Sequence, residues 1–246
     1  MTRQPDLPPS EKPIVLKLTN VTFGSGRESG VNLQRVNMTL REGDFAMIHL
    51  DRSQHPRQLA SMLQGLKQPA EGDVQFFFDS QGGDWGGDDF DRHFKMRSRI
   101  GRVFESDAWI QNLNVAENVT LARRHHQIDS ASIEQDLAKW RKRFDVKNVG
   151  RERPAFVEPS VLQIYQWIRA FLSKPKLLLL ERPMQSVSNR LRPKLVEAIN
   201  EARSEGAAVL WLTSNSADES EQITAPRMIY SLQQGKLTPS TRGSAS

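Results

Sequence analysis

Four consecutive leucines, residues 177–180, set the strongest limit on the fold of this chain. They lie in a stretch bounded by Pro175 and Pro183. The run does not show the alternation of apolar and polar residues that is typical of a half-exposed strand. An unbroken apolar run of this length is typical of a parallel strand that is covered on both faces. The sequence therefore predicts an α/β protein, in which this strand leads directly into Glu181 and Arg182.

The composition excludes several kinds of site. The 246-residue chain has no cysteine, which rules out a disulfide framework, a zinc–thiolate site and a cysteine nucleophile. Its net charge of +5 arises from Lys and Arg scattered among acidic residues, and so gives little support for nucleic-acid binding. We expect no signal peptide, because residues 1–13 are polar and proline-rich, and no membrane span, because no segment has the required apolar length.

Hydrophobic periodicity divides the chain into strands and helices. The predicted strands cover 14–23, 31–40, 45–50, 72–79, 99–105, 176–180 and 207–213, with a closing hairpin at 228–237. The predicted helices cover 58–66, 114–124, 130–144, 160–173 and 190–204, and the glycine-rich residues 82–87 are predicted to form a mobile loop. We interpret 14–237 as a single domain between disordered tails at 1–13 and 238–246.

Four segments carry a family resemblance. They are 40–45 (LREGDF), 72–74 (GDV), 104–119 (FESDAWIQNLNVAENV) and 169–183 (RAFLSKPKLLLLERP). In this order and spacing they resemble the ATP-binding subunit of ABC transporters, over about residues 14–237. Within that family the chain looks most similar to the ATPases of Mla/Mce-type lipid and solvent-tolerance transporters. The resemblance implies an ABC-ATPase-like (P-loop NTPase) core, an antiparallel β subdomain and a helical subdomain inserted at about 106–172.

The phosphate-binding loop of such ATPases reads G-x-x-x-x-G-K-[ST], in which glycine amides wrap the phosphates and the lysine meets their charge. The corresponding residues here, 50–57, read LDRSQHPR. Leu50 and His55 stand in the glycine positions, Pro56 in the lysine position and Arg57 in the Mg²⁺-binding position. Proline also removes a backbone donor. Arg52 and Arg57 could bind an anion in another way, although an ordinary exposed loop is the favoured interpretation.

The other nucleotide-handling positions are altered as well. The resemblance places Glu181 and Arg182 where the family has a metal-binding Asp and a water-activating Glu, and arginine cannot act as a base. It places Glu105 at the glutamine of the Q-loop and Ser214 at the switch histidine. The signature region, 157–161, has no glycine, and the D-loop region, 185–188, lacks its aspartate. Glu181 could hold a metal, but a solvated or salt-bridged strand-end acid, with Arg182 as one candidate partner, is the favoured interpretation.

A partner-docking surface is also implied by the resemblance. In the family, the segment that contains Glu105, Trp109, Leu113 and Val115 lies beside the groove that receives the membrane subunit, and simple packing is the alternative role. His125-His126 is interpreted as an exposed pair and not as a metal site, because no third ligand has suitable spacing.

These positions lead to three hypotheses. The favoured one is a pseudo-ATPase: a cytoplasmic subunit, peripheral at the inner face of the membrane, that docks on a permease or a sister ATPase. It would form a dimer and would not turn over nucleotide. It requires no cofactor. The second is a divergent active ATPase of a lipid or solvent-tolerance transporter, which would use ATP and Mg²⁺. The third is a soluble adaptor or a nucleic-acid-binding protein.

Overall fold

The computed structural model describes residues 12–24, 30–79, 82–87, 89–106, 108–147 and 150–240. The predicted tails therefore lie outside the described residues for 1–11 and 241–246. Lys12 and Pro13 belong to the folded domain, because the carbonyl of Lys12 accepts a hydrogen bond from Arg41 and that of Pro13 accepts one from the amide of Glu42. None of the helices in these ranges combines the length and apolar character needed to cross a bilayer.

The strands form two sheets in the described residues. An antiparallel sheet has the order β2-β1-β4-β5 and comprises β1 (Ile14–Phe23), β2 (Leu33–Arg41), β4 (Glu71–Phe76) and β5 (Gly83–Asp84). A second sheet has the order β10-β9-β3-β8-β7-β6 and comprises β3 (Phe45–His49), β6 (Ile100–Val103), β7 (Leu177–Glu181), β8 (Ala208–Thr213), β9 (Met228–Gln233) and β10 (Lys236–Pro239). Its strands β9, β3, β8, β7 and β6 run parallel, and β10 pairs antiparallel with β9.

Helices occupy the connections between these strands. They are α1 (Arg57–Leu63), α2 (Phe90–Arg97), α3 (Val115–His125), α4 (Ser130–Arg143), α5 (Pro159–Leu172) and α6 (Arg192–Ser204). Helices α3, α4 and α5 all lie between β6 and β7 in the chain, and α5 packs on both of the others. The predicted α/β fold is confirmed, with a parallel sheet, a separate antiparallel sheet and a group of helices between two of the parallel strands.

The leucine run of β7 lies between two hydrophobic cores. Leu177 and Leu179 pack into the core that faces the antiparallel sheet and α1, whereas Leu178 and Leu180 pack into the core that faces α5 and α6. Successive side chains of a strand point to opposite faces, so a strand with a core on each side is apolar throughout. Full burial of each leucine contributes about 1.5–3 kcal/mol to folding.

The edges of the six-stranded sheet differ from its centre. Every residue of β6 is buried, and α5 packs against this strand. At the other edge, β10 carries exposed Lys236 and Pro239, and its turn is tied to the antiparallel sheet where the amide of Gln34 donates to the Gly235 carbonyl at 2.8 Å. The predicted tail at 238–246 is therefore wrong for Thr238 and Pro239, which belong to β10.

The region before β6 contains one helix that the sequence does not predict and one segment whose predicted structure is wrong. Helix α2 was not predicted, because only two of its side chains, His93 and Met96, are buried, and so its sequence has almost no apolar face. The glycine-rich residues 82–87 were predicted to be a mobile loop, but they contain β5 and the buried Trp85. The Trp85 indole donates to the Leu63 carbonyl at 3.3 Å, which fixes this segment against the end of α1.

Candidate functional site

The predicted site residues meet where the parallel strands β3, β6, β7 and β8 end. Because the carboxyl ends of parallel strands lie at the same edge of a sheet, the loops that follow them converge there. These loops carry Arg52, Glu105, Arg182 and Ser214, and the structure brings the first three into contact through side-chain hydrogen bonds.

Arg182, directly after β7, connects three of these segments. Its guanidinium donates to the Glu105 carboxylate, to the Gln54 carbonyl at 2.8 Å and to the Arg52 carbonyl at 3.4 Å. The backbone of Arg182 has a φ of +43°, a conformation that is uncommon outside glycine. Glu105 also faces Nδ1 of His55 at 3.8 Å. A permanently charged side chain therefore fills the position that follows the buried strand.

The sequence suggested Arg182 as a partner of Glu181, but the two side chains do not pair. Glu181 is fully buried, and its Oε1 accepts a hydrogen bond from Nε of Arg102 at 2.5 Å. The register explains the partner: Arg102 on β6 lies opposite Leu179, and Glu181, two residues further, points to the same face of the sheet. Burial raises the pKa of Glu181, an effect that the Arg102 guanidinium opposes. The predicted ion pair of Glu181 is present, but its partner is Arg102 and not Arg182, which pairs with Glu105 instead.

Arg102 is the site residue that the sequence analysis missed. It donates to Oε1 of Gln64 at 2.7 Å, to Oγ of Ser61 at 3.3 Å and to the Arg57 carbonyl at 3.1 Å. These bonds connect β6 to both ends of the short helix α1. The available signal was a charged residue inside a short predicted strand, since buried arginine requires a partner of opposite charge.

Backbone amides of the loop from Leu50 to Pro56, between β3 and α1, donate to acceptors within the protein. The amide of Asp51 donates to Oε1 of Gln54, and the amide of Gln54 donates to the Asp51 carbonyl, each at 3.0 Å. The amide of Leu50 donates to the Thr213 carbonyl at 2.7 Å. Three backbone donors that a phosphate-binding loop could offer to an anion are therefore already engaged within the protein.

Arg57, the first residue of α1, points toward the segment after β6. One of its guanidinium nitrogens donates to the Ser106 carbonyl at 2.5 Å. Its predicted role as an anion-binding side chain stays a prediction. Its location shows that a guanidinium, and not a small hydroxyl, begins the helix at the position matched to the Mg²⁺-binding Ser or Thr.

Ser214, after β8, lines a cavity of about 430 Å³ together with Arg52, Arg182, Arg192 and Asp218. Acidic groups already neutralise much of the positive charge here. Arg192 donates to Glu221 at 2.8 Å and lies 3.9 Å from Asp218, and Arg182 pairs with a carboxylate as described above. The hydroxyl of Ser214 cannot exchange a proton near neutral pH as a histidine would.

The predicted docking residues occupy three kinds of position. Trp109 and Leu113 are half-buried, and Glu105 is half-buried in its pair with Arg182. Val115 is fully buried in the core beneath α3, so its predicted role in partner docking is wrong. Ile110, in the same segment, is an exposed apolar side chain.

Arg169, on α5, packs against the ring of Trp109. Its guanidinium lies 5.0 Å from the Trp109 ring centre and donates to the Ala108 carbonyl at 2.7 Å. Burial, with a smaller contribution from the nearby charge of Arg102, lowers the pKa of Arg169 to about 10. The side chain is therefore still charged at neutral pH and can form a cation–π contact.

Helix α3 begins with a capping box that positions the end of this segment. The side chain of Asn114 accepts from the amide of Glu117 at 2.8 Å, and the side chain of Glu117 accepts from the amide of Asn114 at 2.7 Å. We expect Asn114→Ala to lower the free energy of unfolding by about 0.5–2 kcal/mol, measured by urea denaturation. Asn114→Asp keeps an acceptor at this position and serves as the matched control. Equal losses in the two variants would contradict a capping role.

His125 and His126 pack against an aromatic ring. The Phe94 ring centre lies 5.0 Å from that of His125 and 4.1 Å from that of His126. Burial, and to a smaller extent the neighbouring His125, lowers the pKa of His126. Among the described residues, no group of three His, Asp or Glu side chains is arranged to hold a metal ion.

Sequence comparison finds similarity to ATP-binding proteins of import systems. No protein-family model matches it. It is 22% identical over 240 residues to the spermidine/putrescine import ATP-binding protein PotA of Pseudomonas aeruginosa, a match that covers 92% of this chain and 63% of the relative. The PotA protein of Clostridium acetobutylicum is 25% identical over 228 residues, which cover 92% of this chain and 61% of the relative. The chain thus spans about three fifths of the length of these curated relatives.

Solved structures of ABC cassettes share the fold. A bacterial ABC transporter cassette with a dimeric structure superposes with a TM-score of 0.77 at 20% identity, covering 90% of this chain and 96% of that chain. The ATP-binding subunit of an ABC transporter superposes with a TM-score of 0.75 at 19% identity, covering 93% of this chain and 90% of that chain. The Mla/Mce-type assignment stays a prediction. The solved structures show that this chain has the fold of ABC transporter cassettes, and its sequence is similar to those of PotA ATP-binding proteins.

Proposed function

We propose that this chain is a non-hydrolysing ABC-type subunit, which docks on a membrane permease or a sister ATPase as a structural or regulatory component. The observation that carries the proposal is the contact of Arg182 with Glu105 and with the carbonyls of the loop after β3. A guanidinium fills the position after β7 where hydrolysis would require a group that orients or activates water. Arginine cannot accept the proton of an attacking water.

The adjacent positions support the same conclusion. Oε1 of the Glu181 carboxylate is paired with Arg102, so a Mg²⁺ ion bound there would lie beside a buried guanidinium of the same charge sign. Pro56 provides neither the lysine charge nor a backbone amide for the phosphates. The groups that would bind Mg²⁺, meet the charge of the phosphates and donate backbone hydrogen bonds to them are therefore either engaged within the protein or missing.

The names of the relatives favour the second candidate, a divergent active ATPase. Both PotA proteins are named as ATP-binding proteins of an import system. An active chain would have to bind nucleotide through other cationic side chains, such as Arg52 or Arg57. Under either proposal the chain would lie at the cytoplasmic face of the membrane against a permease, and dimeric cassettes of the same fold support an assembly of two subunits.

Equilibrium binding of ATP to the purified chain, with and without Mg²⁺, separates the two candidates. We expect no saturable binding at millimolar nucleotide and no release of phosphate above background, because the groups that would hold the phosphates are missing or engaged. A competent ABC ATPase subunit measured in parallel is the positive control for the assay.

Evidence for an active ATPase would consist of both nucleotide binding and hydrolysis. Saturable, Mg²⁺-dependent binding with turnover that Glu181→Gln abolishes would place the active ATPase first. The glutamine variant is preferred to alanine, because it keeps the shape and the hydrogen-bonding oxygen that face Arg102. Exposed Glu205→Gln is the matched control for a carboxylate change away from the site.

A further inference from the structure

The segment after β6, here called the post-β6 segment, comprises residues 104–106 and 108–110 and leads into the predicted docking surface. Amide side chains hold both of its ends. The amide of Phe104 donates to Oε1 of Gln166 on α5 at 2.8 Å. At the other end, Asn118 on α3 accepts from the amide of Ile110 at 2.8 Å and donates to its carbonyl at 3.0 Å. Both anchors are buried.

Three arginines hold the segment between these ends. Arg182 donates to the carboxylate of Glu105. Arg57 donates to the Ser106 carbonyl at 2.5 Å, and Arg169 donates to the Ala108 carbonyl at 2.7 Å. The three side chains come from the residue after β7, the start of α1 and the last turn of α5, so the segment is tied to three separate elements.

The strength of these contacts follows from their environment. The side chains of Arg182 and Glu105 are only 14% and 16% exposed, which protects their ion pair from screening by salt. Hydrogen bonds from guanidinium groups are charge-assisted and stronger than neutral ones. Every donor and acceptor in the contacts named above belongs to the chain itself, so these contacts form without a ligand.

We infer that Arg57, Arg169 and Arg182 fix the post-β6 segment in one conformation without nucleotide, so that docking of a partner on this chain is insensitive to ATP. The inference rests on the proposed function, because it concerns the surface through which a membrane permease would bind. Arg182 is the key positioning residue, since it connects the segment to the loop where nucleotide would bind and fills the space between them.

Hydrogen–deuterium exchange of the peptides that contain the Phe104 and Ile110 amides tests the inference in the purified chain. We expect protection that millimolar ATP and Mg²⁺ leave unchanged. Arg182→Gln and, independently, Glu105→Gln remove the ion pair from either side, and each is expected to speed exchange in these peptides by about tenfold or more. Arg190→Gln is the control, because Arg190 is 73% exposed and pairs with Asp145 at the surface.

Thermal unfolding of each variant separates local loosening from loss of the fold. Faster exchange that is confined to the post-β6 segment, in a variant that still unfolds cooperatively, supports the inference. Unchanged exchange in both variants, or protection that rises when ATP is added to the unaltered chain, overturns it. ATP hydrolysis by the unaltered chain without a change in these peptides would instead contradict the proposed function while leaving the fixed segment intact, so the two failures are distinguishable.

Discussion

Replacing Arg102 by methionine is expected to lower the free energy of unfolding by about 3–5 kcal/mol, because it leaves the buried Glu181 carboxylate without its partner. The side chains of the pair are 3% and 0% exposed, so water cannot replace the lost contact. The variant would also lose the bonds from Arg102 to α1. Denaturation by urea, with linear extrapolation to water, measures the change.

The double variant Arg102→Met with Glu181→Leu is the control for this interpretation. Replacing a buried ion pair by apolar residues of similar volume is often neutral or stabilising, so the double variant should recover much of the lost stability. A double variant that is less stable than the single one would show that the loss comes from the cavity and from α1, and not from an unpaired charge.

The pH dependence gives an independent check on the same variant. Burial raises the pKa of Glu181 in the folded protein, and removing Arg102 takes away the main effect that opposes this rise. A carboxyl group with a raised folded-state pKa favours folding fully below its unfolded-state pKa, and this contribution is lost as the pH rises through the folded-state pKa. The deficit of Arg102→Met relative to the unaltered chain should therefore shrink as the pH is lowered through this range.

Replacing Trp167 by alanine is expected to lower the free energy of unfolding by a similar amount, about 3–5 kcal/mol. Trp167 is fully buried on α5, stacks on Phe171 with ring centres 5.7 Å apart, and donates from its indole to the Pro183 carbonyl at 3.2 Å. It therefore connects the helices between β6 and β7 with the residue next to Arg182. Urea denaturation measures the loss.

Trp167→Phe separates the two contributions of this side chain. Phenylalanine keeps an aromatic ring in the core but leaves the Pro183 carbonyl without its donor, for which we expect a loss of about 1–3 kcal/mol. If the phenylalanine variant lost as much stability as the alanine variant, the hydrogen bond and not the packing would be the main contribution of Trp167.

The fold was largely predictable because its strongest signals are local. The leucine run of β7 is apolar throughout, since its alternate side chains enter different cores, and the same reasoning applies to β8. The ends of α3 and α5 were also close to their predicted positions, because Asn114 caps the first and proline begins the second. Helix α2 was missed, since polar residues form most of it.

The site was predictable as a set of altered positions but not as a network of contacts. The sequence placed Arg182 after a buried strand, yet its pairing with Glu105 depends on two loops that are distant in the chain. Likewise, the pairing of Glu181 with Arg102 depends on the register of β7 against β6, which no local pattern records. Burial of Val115 depends on how α3 packs on α5, and segment similarity alone does not show it.

The two edge strands of the six-stranded sheet also limit how this chain can associate with other subunits. Strand β6 lies beneath α5, and strand β10 ends in a proline that has no amide to donate and begins with an exposed lysine. Both arrangements discourage strand addition by a second polypeptide, a route by which exposed sheet edges join or aggregate. We therefore expect any subunit that associates with this chain to recognise side-chain surfaces and not to extend its sheet.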